Sequence, residues 1–234
     1  MHPSCVISAE RFVNKYLDPT KLLKILDVGS FNVNGTLKPL FTHNGCICSV
    51  CGNVEKWSGS GQICSACRKP VIEGGVCDGV RWRRHNIDRI GEQWQYIGMD
   101  TYETCKPYGD MNAPPNRRYS VDILMEDPYR FPFDDNSIDV VVSTSCLEHD
   151  PLFWVTFNEM VRVLALDGLI YLNVPSSGPY HGFPDDCWRF QVDAYKALTK
   201  WNPKAELLES YIDTDISKHG GWADNVGIFR KKKE

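Results

Sequence analysis

Residues 137–175, "SIDVVVSTSCLEHDPLFWVTFNEMVRVLALDGLIYLNVP", decide the fold. The run "SIDVVVSTS" is apolar and β-branched over the length of a buried strand, and "GLIYLNVP" (168–175) is a second such run. Between them Phe153, Phe157, Met160, Val161 and Leu164 recur at helical spacing, and Asp167-Gly168 is the expected stop. Strand, helix, strand in this order implies a right-handed crossover between parallel neighbours.

Further strands are expected at "LLKILDVG" (22–29), "WQYIGMD" (94–100), "YSVDILM" (119–125), "AELLESYI" (205–212) and "NVGIFRK" (225–231). Ahead of them, "SAERFVNKYL" (8–17) puts Phe12, Val13, Tyr16 and Leu17 on one helical face, with Ser8 as cap and Asp18-Pro19 as stop. The expected fold is α/β: a Rossmann-like, mostly parallel sheet with helices on both faces. About fifty residues separate the first two strands, far more than the other crossovers need. That excess defines an insertion at 42–92, between segments of the main domain at 1–41 and 93–234.

The insertion contains "CSVCGNVEKWSGSGQICSAC", in which Cys48, Cys51, Cys64 and Cys67 have the spacing C-x2-C-x12-C-x2-C. Four thiolates in two close pairs select a closed tetrahedral zinc site, and a metal would order a Gly-rich loop too poor in apolar residues to order itself. A zinc-ribbon-like module is expected, with Cys46, Cys77, His43 and His85 as spare ligands; Cys5, Cys105, Cys146 and Cys187 read as core or loop thiols.

Composition sets outer limits. The 234 residues carry 42% hydrophobic and 24% charged side chains, ordinary for a globular protein. A net charge of -4 argues against a broad nucleic-acid surface, and "RWRRH" (81–85) and the terminal "RKKK" read as solvated clusters. No run approaches a membrane span, and the N-terminus lacks the pattern of a secretion signal, so a cytoplasmic location is expected.

In an open α/β sheet, ligands bind beyond the C-terminal strand ends. There the sequence offers Asp27, Gly29 and Ser30, then Asp100 and Thr101, Glu126 and Asp127, and Ser143 to His149. An acid closing the second strand can accept both hydroxyls of a ribose. The first loop, "DVGSFNVNG", supplies Gly29 and Gly35 with Asn32 and Asn34 between, and lacks the G-x-G-x-x-G needed for a pyrophosphate. A phosphate-free adenosyl cofactor fits better. S-adenosylmethionine is one, and Asp27 would favour its sulfonium.

The ordered set "ILDVGSFNVNG", "YIGMD", "FPFDDNSIDVVVSTSCLEHDP" and "MVRVLALDGLIYLNVP" resembles class I S-adenosylmethionine-dependent methyltransferases, over residues 22–40 and 94–234. "GSFNVNG", "PYHGFPDDCWRF" (179–190) and "GWADNVGIFRK" are similar to a subgroup associated with glycan and sugar modification. The resemblance implies O-methyl transfer to a sugar or glycan hydroxyl. It implies a cofactor site at Asp27, Gly29, Ser30, Asn32, Gly35, Asp100, Thr101, Glu126, Asp127 and Ser145.

Such transfer needs the acceptor proton removed, and His149, His181 and Asp186 are the candidate catalytic groups. Trp188, Arg189 and Asp185 are candidates for acceptor binding, the aromatic face suiting a sugar ring and the guanidinium an anion; Trp188 and Phe190 could instead anchor the loop while Arg189 makes a structural ion pair. Asp185 and Asp186 could alternatively hold a divalent cation. A glycosyltransferase or a second copy of the chain are the expected partners. Competing readings are methyl transfer to another small molecule, a lipid-linked intermediate or a protein, and a non-catalytic module recruiting a partner through the zinc ribbon.

Overall fold

The computed structural model describes residues 3–31, 37–41, 45–47, 54–56, 76–77, 80–81, 94–101, 121–213 and 221–233. Helix α1 (Pro3–Tyr16) precedes β1 (Lys24–Val28) and a short α2 (Lys38–Phe41). Two small antiparallel hairpins follow, β2 (Gly45–Ile47) with β3 (Val54–Lys56) and β4 (Val76–Cys77) with β5 (Val80–Arg81). The remainder is β6 (Gln95–Thr101), β7 (Ile123–Met125), β8 (Ile138–Thr144), α3 (Phe153–Val163), β9 (Leu164–Ser177), α4 (Ala194–Trp201), β10 (Ala205–Asp213) and β11 (Ala223–Lys231).

The main sheet has the order β10-β11-β9-β8-β1-β6-β7. From β9 to β7 every neighbouring pair is parallel, while β11 pairs antiparallel with both β9 and β10. The sheet is therefore mixed, its parallel part carrying the strand ends that matter for binding.

Alternate residues of the central strands face opposite layers, as a period of two requires. Leu26, Val28, Val141, Ile170 and Leu172 join Phe157, Met160 and Val161 of α3 and Tyr195 and Leu198 of α4 in one core. Ile25, Val140, Val142, Tyr171 and Val226 join Ala9, Phe12 and Val13 of α1 and Leu37, Leu40 and Phe41 in the other. Helices thus cover both faces. Burial on both sides explains why β1 and β8 read as continuous apolar runs rather than alternating ones.

Two sequence-based boundaries are corrected. The first helix begins at Pro3, where a missing N–H costs nothing, and Ser8 lies buried within it rather than capping it. The helix after β8 ends at Val163, four residues before Asp167-Gly168, and Leu164 already pairs with Ile138. The buried ammonium of Lys231 explains the early stop: its Nζ donates to the carbonyls of Arg162 and Leu164 at 3.1 and 2.8 Å, satisfying the helix end with a cation. Asp167 turns with φ 61° inside the irregularity that shifts the β8–β9 register between Ile138 and Val140.

At the other end of α3 the Asp150 carboxylate accepts the Leu152 N–H at 2.9 Å and the Thr156 hydroxyl, anchoring the helix start under the site. Arg162 bonds Glu159 and the carbonyls of Phe131 and Phe133, tying the β7–β8 connection to α3. Among the described residues no helix is long and apolar enough to cross a membrane.

Candidate active site

A cavity of about 1160 Å³ opens at the C-terminal ends of β1, β6, β7, β8 and β9. Asp27, Gly29, Ser30, Asp100, Thr101, Glu126, Ser145, His149, His181 and Asp185 all line it. Residues separated by up to 158 positions in sequence are thereby brought together by the parallel strand ends. Asn32, Gly35, Cys48, Cys51, Cys64 and Cys67 lie outside the described residues.

One wall is built by the turn after β1. Gly29 adopts φ 78° and its N–H donates to the Met99 carbonyl at 2.9 Å, as the Ser30 N–H does at 3.1 Å. A Cβ on Gly29 would stand 2.4 Å from Cys146 Sγ, so glycine is required both by the backbone and by the close approach of the β8 loop. Asp100, almost fully buried, accepts the Phe31 N–H at 2.8 Å and the Thr101 N–H at 2.7 Å, which holds the first loop against the second strand.

Asp27 is buried and accepts a 2.6 Å hydrogen bond from Tyr96 Oη. Burial pushes its carboxyl up to about 7, partly opposed by the Tyr96 bond, and nearby Asp100 pushes the same way. Ser30 Oγ is buried at the same wall and meets no hydrogen-bond partner. An orphaned hydroxyl, a carboxylate seeking a cation and a second strand-end acid form a donor and acceptor set that fits an adenosyl amino acid: Asp100 for ribose hydroxyls, Ser30 and Asp27 for the charged end.

The opposite wall carries the imidazoles. His149 Nδ1 lies 2.5 Å from the Asp185 carbonyl, which fixes the proton there and leaves Nε2 as the lone-pair nitrogen. Its ring meets His181 edge-on, with centroids 4.8 Å apart, and His181 meets Trp222 in the same way at 4.7 Å. Burial lowers the His149 pKa, against the effect of the Asp185 carbonyl. Below them sits Glu148, fully buried, with neither carboxylate oxygen hydrogen-bonded and its carboxyl pushed up to about 8, chiefly by burial.

Four other sequence-picked residues are placed elsewhere. Asp127 accepts the Tyr129 N–H at 2.8 Å in a local turn and does not line the cavity. Asp186 forms a bidentate pair with Arg189, at 2.5 and 2.7 Å, and accepts the His181 N–H at 2.8 Å. The Arg189 hydrogen bonds hold its carboxyl far below the usual range, so it is unsuited to taking a proton and instead positions the His181 loop. Arg189 also donates to the Pro179 carbonyl and lies over the Trp222 ring, a structural clamp rather than an open anion site. Trp188 donates to the Asp150 carbonyl at 2.9 Å and packs edge-on against Phe153, anchoring the loop to α3.

Sequence reasoning assigned no role to Glu148, Tyr129, Trp222 or Asp224, all of which line the cavity. For Glu148 the signal was present, an acid beside His149 just past a strand end. For Trp222 and Asp224 it was not, because only the antiparallel return of β11 beside β9 brings them to the site.

Residues 73–172 match the family model of the methyltransferase domain. A demethylmenaquinone methyltransferase of Bacillus cereus is 23% identical over 157 residues, which is 67% of this chain and 66% of the relative; the chain thus spans about two thirds of the curated relatives it matches. A chain of the complex between the Haloferax volcanii Trm112 methyltransferase activator and a methyltransferase superposes with a TM-score of 0.55 at 14% identity, covering 97% of this chain and 89% of that one. The 1,6-didemethyltoxoflavin-N1-methyltransferase of Burkholderia thailandensis, with S-adenosylhomocysteine bound, gives 0.53 at 11% identity over 98% of this chain and 79% of that one. These likenesses show the fold. Sheet order and strand-end acids agree with the fold of these methyltransferases, and the family match covers residues 73–172 of the 234.

Proposed function

We propose that the protein transfers a methyl group from S-adenosylmethionine to a hydroxyl of a sugar or glycan. The observation that carries this reading is the two-walled cavity, with Asp27, Ser30 and Asp100 on the cofactor wall and His149 and His181 opposite. When bound, the cofactor supplies an electrophilic methyl on a positive sulfur; the chain must align an acceptor oxygen with it and lower the cost of losing the acceptor proton. The Asp185 carbonyl presents His149 Nε2 to the cavity, and the Arg189–Asp186 clamp holds the His181 backbone beside it. Activation of the hydroxyl falls to this imidazole pair.

A sugar acceptor is supported by the imidazoles beside the Trp222 ring on that wall and by the resemblance of "PYHGFPDDCWRF" to sugar-modifying proteins. The likeness to demethylmenaquinone methyltransferases favours a second reading, a ring-bearing small molecule as acceptor. Cys48, Cys51, Cys64 and Cys67 we assign to a structural zinc. In support is their spacing, C-x2-C-x12-C-x2-C, which offers two close thiolate pairs to one ion.

The test is titration with S-adenosylhomocysteine, followed by methyl transfer over a panel of free, nucleotide-linked and polymeric sugars alongside quinol-type rings. Binding with turnover on a sugar is the expected result. Turnover confined to the ring compounds overturns the sugar assignment, and absence of binding in folded protein overturns methyl transfer.

A further inference from the structure

We propose that Glu148, His149 and His181 bind a divalent transition-metal ion on the acceptor wall, leaving a coordination position open to the acceptor hydroxyl. The role given to the ion rests on the methyl-transfer reading; the site itself does not. One ligand atom from each of the three side chains lies within 4.8 Å of the others.

Glu148 is the strongest argument. Its side chain is fully buried, and neither oxygen has a hydrogen-bond partner. An ionised carboxylate so placed costs several kcal/mol unless a cation joins it. Arg189, whose charge also reaches Glu148, has its guanidinium engaged by Asp186, and an imidazole nitrogen faces the carboxylate, His149 Nε2 at 3.5 Å from Glu148 Oε1. That nitrogen carries the lone pair, because the other is hydrogen-bonded to the Asp185 carbonyl. A carbonyl behind the imidazole is how metal-binding histidines are ordinarily oriented.

His181 completes the set. Its buried Nδ1 is 3.3 Å from Asp186 Oδ2 yet makes no hydrogen bond, while Asp186 is engaged by Arg189 and by the His181 N–H. The loop is therefore fixed, and it holds a ring nitrogen of His181 within 4.8 Å of the Glu148 and His149 ligand atoms. Two imidazoles and one carboxylate suit Zn²⁺, Mn²⁺, Fe²⁺ or Co²⁺, whereas Mg²⁺ and Ca²⁺ prefer oxygen alone. Metal bonds of about 2.0–2.2 Å put ligand atoms about 3.3 Å apart. The His149–Glu148 pair is already near that spacing.

An ion held there lowers the pKa of a bound acceptor hydroxyl. The hydroxyl proton passes to water, the oxygen lone pair forms the new C–O bond, and the methyl–sulfur bond breaks with its electrons going to sulfur. The products are a methyl ether and S-adenosylhomocysteine. His149 and His181 then act through the ion, and Asp186 and Arg189 are positioning residues for His181.

The test uses the full chain, zinc-saturated so that the cysteines are filled, then dialysed against a weak carboxylate chelator. Mn²⁺, which does not favour thiolates, is titrated in and followed by loss of the free-ion electron paramagnetic resonance signal. One ion per chain is expected, weakened by more than about tenfold in both His181→Ala and Glu148→Gln. Because Glu148 is buried, circular dichroism and S-adenosylhomocysteine binding check its variant, and His181→Ala, in a part-exposed loop, carries the test if Glu148→Gln misfolds. No uptake by wild type at millimolar Mn²⁺ or Co²⁺, or uptake unchanged in the variants, overturns the site. Metal uptake with the expected variant dependence in a protein that does not bind S-adenosylhomocysteine keeps the site and overturns methyl transfer.

Discussion

Replacing Asp27 by asparagine separates what this acid does for the fold from what it does for the cofactor. Burial raises its folded pKa from the usual 3.8 to about 7. The folded state thus holds this proton more tightly than the unfolded chain does. Below about pH 4 the group is neutral in both states and costs nothing; as pH rises from 4 through 7 the unfolded state ionises first and stability is lost. By pH 8 the loss approaches about 4 kcal/mol, the roughly three-unit displacement at about 1.4 kcal/mol per unit.

The amide of Asp27→Asn still accepts from Tyr96 and carries no such cost, so the ligand-free variant is expected to melt higher than wild type at pH 8 and at the same temperature near pH 4. Cofactor binding moves the other way. A cationic ligand selects ionised Asp27, and with a pKa of about 7 the competent fraction falls about tenfold between pH 8 and pH 6. Isothermal titration with S-adenosylmethionine should show a Kd about tenfold weaker at pH 6 in wild type and almost no such ratio in the variant, whose binding is weaker throughout. A variant that keeps the tenfold ratio would refute the reasoning, because the proton would then belong to another group.

Gly29→Ala forces a Cβ to within 2.4 Å of Cys146 Sγ at φ 78°; a loss of about 2 kcal/mol in denaturant unfolding is expected, with cofactor affinity down about tenfold. Adding Cys146→Gly relieves the clash but not the backbone strain, so only part should return. Arg189→Ala breaks the clamp on Asp186, and kcat is expected to fall about tenfold or more while S-adenosylhomocysteine affinity holds, since the clamp touches only the acceptor wall. Equal losses in both would place the clamp under the cofactor as well. Cys64→Ser with Cys67→Ser should abolish the tightly held zinc measured by elemental analysis; an unchanged ratio of one zinc per chain would remove the cysteine assignment.

The strand-end wall of the cavity was legible in sequence because it follows one rule applied along the chain: a buried parallel strand reads as an apolar run, and the polar residue after it faces the cavity. Asp27, Asp100, Glu126 and Ser145 needed nothing more. Asp127 shows the limit, since one step past a strand end a carboxylate can turn back to its own chain, and the Tyr129 N–H captured it. The helix stop at Val163 was hidden for a related reason: the group that ends α3 is Lys231, 68 positions away, while the local signal at Asp167-Gly168 marks a turn within the next strand.

The acceptor wall was legible as a set of residue types but not as roles. "HGFPDDCWRF" contains a histidine, two acids, an indole and a guanidinium, and any of them could face an acceptor. Pairing decides between them, and pairing is a property of three-dimensional neighbours. Asp186 and Arg189, three positions apart, satisfy one another and so withdraw from chemistry, while the carbonyl of Asp185 rather than its carboxylate sets the proton on His149. What the clamp leaves is the informative remainder: two imidazoles and a buried carboxylate with no hydrogen-bond partner, converging from the β8 and β9 strand ends. A buried polar group that the fold does not satisfy is stable only if something else satisfies it, and that is why the acceptor wall points to a ligand more sharply than its motif does.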